Sequence, residues 1–490
     1  MMMRLLPMLL LMLCFRPAEA QALQWAKQIG DSADQELTDF KVDKDGSLIL
    51  FGRYSSYPEA GSRPSLSPGH YSLFLHKLDS VGNTLWFRHL GSPYKDWALG
   101  MDIDPEGNIY VLGSMAEYPY DCRRDCILSS IGPDTVRLDT AGGGTFVARY
   151  SPAGKVEWVR QFQRRTSFHL TLNPEMTIQN GKVYLFGFFR GELGFLGHPL
   201  RIGNPRTGNL GFLARLDVDG SPRWLDTLVG PEYVAAVEED ASGGLYLGYQ
   251  LGASNQEIEK RDSTGRTLWR KEIFSPSGTT GSYLGSFIRD EAGSLYVTGG
   301  FSYQAVFRLD DGTDSTATTP FSREIFLEKL NPDGSIAWFK AGKSGGMIRT
   351  GAPLPGGGVL FSRTGSSHLY RLRANGSLDS LPQLSLHRIH LLRDGRTLVA
   401  ASTLAGTTPT VLGGRTFVSA GKQDILVVRL DLEAPTMVRR PVPSSSMPTA
   451  GLRYSPLGRI LPGNGPDPVP AFGKRVGRPA QWHNPAATLE

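Results

Sequence analysis

The sequence predicts an all-β fold: a seven-bladed β-propeller of four-stranded blades, its ring closed by the N-terminal strand pairing into the last blade. Two hairpins that recur along the chain, and a strand missing from one end but present at the other, predict it. The first hairpin is an apolar strand bearing one basic residue, then a turn ending in Gly, then Trp four residues on. It reads Leu73-Phe-Leu-His-Lys-Leu-Asp-Ser-Val-Gly-Asn-Thr-Leu-Trp86 and Phe146-Val-Ala-Arg-Tyr-Ser-Pro-Ala-Gly-Lys-Val-Glu-Trp158, and it returns at 212–224, 258–269 and 326–338, ending on Trp224, Trp269 and Trp338. Gly82, Gly154, Gly220, Gly265 and Gly334 each precede their Trp by four, and a sixth copy keeps Arg371 and Gly376 but has Ser380 in the Trp position. The basic residues Lys77, Arg149, Arg215, Lys260, Lys329, Arg371 and Arg429 alternate with apolar neighbours, as in a strand with a buried face. The glycine suits a tight turn because it takes the positive φ that other residues resist.

The second hairpin lies between copies of the first. It is clearest at 42–52, 103–113 and 178–187, and it recurs in worn form at 240–249, 290–300, 355–361 and 393–401. Each repeat therefore holds four strands, at a mean period of about 58 residues. The chain ends supply an independent check. The seventh copy of the first hairpin begins at Asp424 but runs into Pro435 without its Trp strand, while Leu23-Gln-Trp25-Ala-Lys-Gln-Ile-Gly30 reproduces the pattern of Leu85–Gly91. The N-terminus is thus expected to complete the last blade. A basic residue two after each Trp (Lys27, Arg88, Arg160, Lys271, Lys340), with Asp226 as the exception, is expected at each blade's outer edge, where charge discourages pairing with other chains.

Residues 1–20 have the parts of a secretory signal: Arg4, an apolar run from Leu5 to Phe15, and the cleavage pattern Ala18-Glu19-Ala20. A mature chain beginning at Gln21 and exported to the periplasm, cell surface or medium is expected. Cys14 raises a lipid-anchored alternative, against which Leu13 occupies a position that needs a small residue. No later segment approaches the roughly 20 apolar residues of a transmembrane helix. Export favours a disulfide between Cys122 and Cys126 over a metal site, since no His lies nearby in sequence. The net charge of +5 is located in the last segment: residues 434–490 carry +5 and residues 1–20 carry +1, leaving −1 for 21–433. A near-neutral body gives no nucleic-acid footprint. The segment 434–490 holds eleven prolines and is expected to be a disordered tail or a divergent secretion signal.

The full unit, from Trp-x-basic through a stretch such as Asp104–Gly113 to a hairpin such as Asp424–Asp431, resembles the β-propeller repeat (SBBP) proteins of bacteria over residues 23–431. The resemblance implies an exported, surface-associated propeller. Tyr454-Ser-Pro-Leu-Gly-Arg459 is similar to a fragment of the type IX secretion domain on which many relatives end, although the usual Pro-Asn-Pro entry is absent.

Chemical motifs are few. Arg261-Asp-Ser-Thr-Gly-Arg-Thr-Leu-Trp269 approaches the repeat of quinoprotein dehydrogenases but places Asp three rather than four before Gly, and the adjacent cysteine pair of such sites is missing. Gly342-Lys-Ser344 lacks the upstream glycine of a phosphate loop, since Ala337 stands there. Asp43-Lys-Asp45-Gly46 and Asp217-Val-Asp219-Gly220 resemble the start of calcium loops without the downstream Glu, so they read as turns. His387 and His390 are three apart in a strand and point to opposite faces. No catalytic, cofactor or metal residue is therefore assigned.

Function should lie where blades differ. The insertions 54–70 and 116–139 are expected to form an interaction surface for a protein or glycan ligand on a monomeric, non-enzymatic binding, adhesion or scaffold module. A propeller enzyme, quinoprotein-like or polysaccharide-cleaving, is the alternative. Carboxylates or His converging on the channel would favour the enzyme.

Overall fold

The computed structural model describes residues 22–55, 71–91, 96–115, 130–131, 144–164, 171–190, 192–195, 198–201, 209–228, 230–252, 255–274, 282–302, 304–308, 314–318, 324–342, 348–363, 369–381, 388–392, 394–406, 409–412 and 415–432. Among these, strands and turns account for all regular structure. The strands group into seven antiparallel blades at 35–91, 97–164, 171–228, 233–274, 283–342, 348–381 and 388–431, the last completed by residues 22–29. We number them 1 to 7 in that order. Within each blade the strands run from the channel outward in chain order. Blade 7 begins with Arg388–Leu391, Thr397–Ala405 and Gln423–Asp431, and its outermost strand is Ala22–Ile29, paired from Ala22 opposite Asp431 to Ile29 opposite Ile425. The ring is closed by the N-terminal strand.

Seven clusters of buried apolar side chains fill the seven seams between neighbouring blades, so the core is a ring of interfaces. Period-2 alternation does this work. In blade 2, Phe146, Ala148 and Tyr150 pack toward blade 1, while Val147 packs toward blade 3. In blades 1 to 5 the basic residue of the third strand has an acidic partner in its own blade, whereas Arg429 of blade 7 donates to the Ser80 carbonyl of blade 1 (3.1 Å). Lys77 meets Asp43 at 3.0 Å, Arg149 meets Asp104 at 3.6 Å, Lys329 meets Asp290 at 3.5 Å, and Lys260 pairs with Asp240. The aspartates that resemble calcium-loop ligands are thus committed to turns and ion pairs: Asp43 to Lys77, and Asp217 to Arg215 and Arg223.

The outer-strand Trp and the basic residue two after it lie at the blade edge as expected, but their role is different from the one anticipated. They reach across the seam and latch the blades together. The Trp25 indole donates to the Ser80 carbonyl of blade 1 (3.1 Å), and Lys27 Nζ donates to that of Gly82 (2.9 Å). Trp86 and Arg88 repeat this on Pro152 (3.1 Å) and Gly154 (2.8 Å), and Trp158 and Arg160 on Val218 (2.8 Å) and Gly220 (2.9 Å). Trp338 donates to Ala374 (3.2 Å), and Trp269 packs on Gly334. The turn glycine meets two demands at once. Gly220 has φ +78°, and a Cβ there would lie 2.8 Å from the Trp158 ring.

Ser380 fits the same scheme. The latch of blade 6 would have to land on the turn after the third strand of blade 7, and the ring is cut there, with Ala22 and Asp431 in place of a turn.

Candidate functional site: the seam between blades 3 and 4

One seam has both a latch tryptophan and a turn, yet the two do not meet. Trp224 holds the same position on its own blade as the others, with its ring 6.4 Å from Tyr184, as Trp158 stands 6.0 Å from Tyr110. It is nonetheless 37% exposed. The receiving turn in blade 4 is built normally, with Gly265 at φ +90° and its amide donating to the Asp262 carbonyl (3.0 Å). A Cβ at Gly265 would find no atom within 4 Å. Gly265 is exposed, whereas Gly82, Gly154, Gly220, Gly334 and Gly376 are buried. Asp226 supplies part of the reason, because a carboxylate cannot donate to the turn carbonyl that accepts Arg88 or Arg160 elsewhere.

Among the described residues no strand covers this seam at its other end. At seams 1/2, 2/3 and 4/5 a segment from the next blade folds back onto the outer strand: Ser130–Ile131 pairs with Leu90 and Gly91, Glu192–Phe195 with residues 162–164, and Gln304–Arg308 with Ile273 and Phe274. In blade 4 the equivalent connection is only four residues long, 251–254, and the Leu251 amide donates to the Asn255 carbonyl (2.8 Å).

Between these ends, the face that blade 4 turns toward blade 3 is charged. The third strand elsewhere presents Phe74, His76 and Leu78; Phe146, Ala148 and Tyr150; Phe212, Ala214 and Leu216; Phe326, Glu328 and Leu330; or Leu426, Val428 and Leu430. At the same register blade 4 presents Glu257, Glu259 and Arg261, and none of its third strand enters the apolar cluster of this seam. Glu259 is fully buried. It accepts from Arg261 (2.9 Å), the Tyr249 hydroxyl (2.7 Å), Arg270 (3.1 Å) and the Thr267 hydroxyl. Burial alone would raise its pKa; the hydrogen bonds from Arg261, Thr267 and Tyr249 outweigh that and hold it at about 2. Glu257 moves the other way. Burial raises it, and the neighbouring charges of Glu259 and Glu272 add to the rise against the opposing Arg270. The cluster borders a cavity of about 250 Å³ whose apolar wall is Leu228, Pro231 and Leu251. A charged, partly apolar cleft of this kind suits a polar ligand with an apolar edge.

The channel is the other place to look. Carboxylates and a histidine do converge there, on the innermost strands, which is the pattern expected of an enzyme. Most are tied to the neighbouring blade. Lys41 pairs with Asp102 (3.1 Å), Asp102 accepts from the Ile178 amide (2.7 Å), Gln179 donates to Glu238 (3.1 Å), Arg289 reaches Glu238 (3.4 Å), Arg388 faces Asp39 (3.8 Å), and Tyr233 donates to Glu175. These contacts stitch blades 7 through 5 around the axis.

Burial lifts Glu238 to about 7, against the counter-pull of Arg289 and Gln179. A carboxyl raised in the folded state stabilises the protein fully below its ordinary value near 4.5, and that stability is lost as pH rises through about 7. A shift of this size corresponds to about 3 kcal/mol. Glu238→Gln should therefore gain in melting temperature relative to the parent between pH 5 and pH 8; a difference that stays constant with pH would contradict this. The parent curve alone does not isolate the effect. Burial lowers His76 to about 3 and His390 to about 4, and their contribution has the opposite sense, being lost as pH falls from 6.5 through those values.

Among the described residues no group of three or more His, Cys, Asp or Glu could hold a metal ion, and no helix is long and apolar enough to cross a membrane. Cys122 and Cys126, His387, and nearly all of the insertions 54–70 and 116–139 lie outside the described residues, as do residues 1–20 and 434–490.

No family model matches the chain. It is 24% identical over 192 residues to an uncharacterized WD repeat-containing protein of Acanthamoeba polyphaga mimivirus, an alignment that covers 35% of this chain and 14% of that protein. The chain thus spans about a seventh of that relative. Among solved structures it is similar to virginiamycin B lyase from Staphylococcus aureus (11% identity, TM-score 0.41, covering 82% of this chain and 98% of that one). It is also similar to the C-terminal WD40 domain of Sif2 (7% identity, TM-score 0.41, covering 82% and 99%).

Sequence reasoning passed over this seam although its signals were present. Asp226 stood out as the exception in the basic series, and Glu257 stands where Phe74, Phe146, Phe212 and Phe326 stand in other repeats. Both acquire meaning once it is known that the outer strand docks on the next blade.

Proposed function

We propose that this chain is an exported, non-enzymatic binding propeller of the bacterial repeat type, which takes a protein or glycan ligand in the seam between blades 3 and 4. One observation carries the reading: the face of blade 4 that should close this seam bears three charged residues, Glu257, Glu259 and Arg261, at positions where blades 1, 2, 3, 5 and 7 each bear at most one ionisable side chain among apolar ones. Buried charge contributes less to stability than apolar packing of the same volume, so its retention at three alternating positions of one strand in a repetitive fold fits a ligand requirement. The signal-like residues 1–20 support export, and the composition of the insertions 54–70 and 116–139 in blades 1 and 2 suits a second, separate surface for a protein or glycan ligand.

The test is a thermal-melt screen of the chain from Gln21 onward against bacterial and plant polysaccharides and short peptides. A ligand at about 100 times its Kd adds about 2.7 kcal/mol, a shift of a few degrees. The shift should vanish in Arg270→Ala, which removes a half-exposed wall of the cleft. A shift that persists undiminished in that variant, or no shift with any of the panel, overturns the reading.

A second reading has one observation in its favour, the channel carboxyl Glu238 held near 7, where a group can both accept and donate a proton. It requires release of reducing ends from a polysaccharide in the same panel, and loss of that release in Glu238→Gln.

A further inference from the structure

We propose that the seam between blades 3 and 4 takes an extended peptide segment of a partner protein, which adds a strand beside the end of the outer strand Pro222–Leu228 and seats an aromatic side chain in the cavity at Leu228. This rests on the binding reading above and names its ligand. The chain supplies such a strand to itself at three other seams, in one constant register. The residue four after the latch Trp is Leu90, Phe162 or Ile273, and the residues paired opposite are Ile131, Phe195 and Phe307, all large and apolar. The seam between blades 2 and 3 shows what the incoming side chain does. Phe195 is 1% exposed, stacks on Phe162 with ring centroids 4.0 Å apart, and shares a core cluster with Phe212 of the next blade's third strand. It fills the corner between the end of one blade's outer strand and the face of the next blade.

At seam 3/4 the places of Phe162 and Phe212 are held by Leu228 and Glu257. Both line the cavity of about 250 Å³, so the space lies at the corner that Phe195 fills one seam earlier. Among the described residues no strand pairs with the outer side of Pro222–Leu228. The strands at the sister seams come from the connections 116–143, 191–209 and 302–323, whereas blade 4 has only 251–254, which is used up in joining two adjacent strands. The seam between blades 5 and 6 also has a short connection, 364–368, but its outer strand ends on Gly342, which offers no side chain to wall a pocket. The walls at seam 3/4 select the ligand. Leu228, Pro231 and Leu251 present an apolar face to a ring, and the pair formed by Glu257 and Arg270 (3.6 Å) stands opposite. Arg270 is 54% exposed, so a ring can lie against its guanidinium while that pair stays intact. An aromatic side chain satisfies both walls, an aliphatic one only the first.

Titration calorimetry of the chain from Gln21 onward with the end-capped peptide Tyr-Gln-Ala-Val-Phe-Arg-Leu, a copy of residues 303–309 that include the strand laid over the seam between blades 4 and 5, tests this. The peptide should bind, and replacing its Phe by Ala should weaken binding about tenfold or more, the loss expected when a large apolar side chain is no longer buried. Hydrogen exchange over residues 222–228 should slow in the complex, because an added strand takes up the outward amides of that edge. Leu251→Trp, which fills the cavity from its apolar wall, should abolish binding while melting like the parent. Equal binding of the Phe and Ala peptides, unchanged exchange over 222–228, undiminished binding by folded Leu251→Trp, or no binding of the Phe peptide overturns the proposal. A polysaccharide of the melt panel whose shift disappears in Arg270→Ala, in the absence of any peptide binding, would leave the binding function standing and remove the strand assignment alone.

Discussion

Removing residues 21–30 should lower the melting temperature by about 10 °C or more, the largest effect expected of any short deletion in this fold. The strand Ala22–Ile29 is the outer strand of blade 7 and simultaneously its latch to blade 1. Its loss exposes the edge of Gln423–Asp431 along the whole register from Ile425 to Asp431. It also withdraws Ile29 and Trp25 from the core between blades 7 and 1, and Leu23 from the core between blades 6 and 7. Burial of a large apolar side chain stabilises by roughly 1.5–3 kcal/mol, so these three alone account for about 5 kcal/mol before the lost ladder is considered. Replacing the deleted strand by a copy appended after Leu432 should restore much of the melt, because the ring needs the strand and not its covalent position. A deletion that melts like the intact chain would show that the ring is held by something other than this closure.

Glu259→Ala should cost about 3–5 kcal/mol, the typical penalty for breaking a buried ion pair by removing one partner. The carboxylate is fully buried and gathers Arg261, Arg270, Tyr249 and Thr267. Its removal leaves the Arg261 guanidinium and the Tyr249 hydroxyl without their acceptor. Glu257→Gln, two residues along the same face, should be neutral or slightly stabilising, because that carboxyl already ionises against burial and two like charges. The pair separates the framework of the cleft from its binding surface, and denaturant melts of the two variants read the difference. Equal losses would mean that the cluster acts as one structural unit.

These expectations divide along what the sequence makes legible. Blade number, strand count and ring closure follow from repetition: Gly-x-x-x-Trp recurs at fixed spacing, and Trp25 sits at the wrong end of the chain for its repeat. A hairpin with alternating burial declares its own strands and its turn. It does not declare what its outward side chains touch in the next blade. The basic series was therefore legible as outer-edge residues, while its reach to carbonyls 55 to 66 positions away was not. The channel is harder still. Asp39, Asp102, Glu175 and Glu238 sit on innermost strands that share no motif, and only the ring brings them together. Ser380 and Asp226 are both departures at latch positions, with opposite meanings. Ser380 marks the seam with no turn to receive a Trp, and Asp226 marks a seam whose turn is intact and uncovered. Which is which depends on where the ring is cut.

The most direct test of the unlatched seam compares Trp158→Ala with Trp224→Ala in thermal melts under one buffer. Trp158 packs on Gly220, donates to the Val218 carbonyl and adjoins the core of its seam, whereas Trp224 is exposed and its turn is out of reach. Trp158→Ala should lose about 3–5 kcal/mol and Trp224→Ala less than about 1 kcal/mol. Equal losses, or a larger loss at Trp224, would show that the seam between blades 3 and 4 is latched like the others and contradict the account of it as an open site.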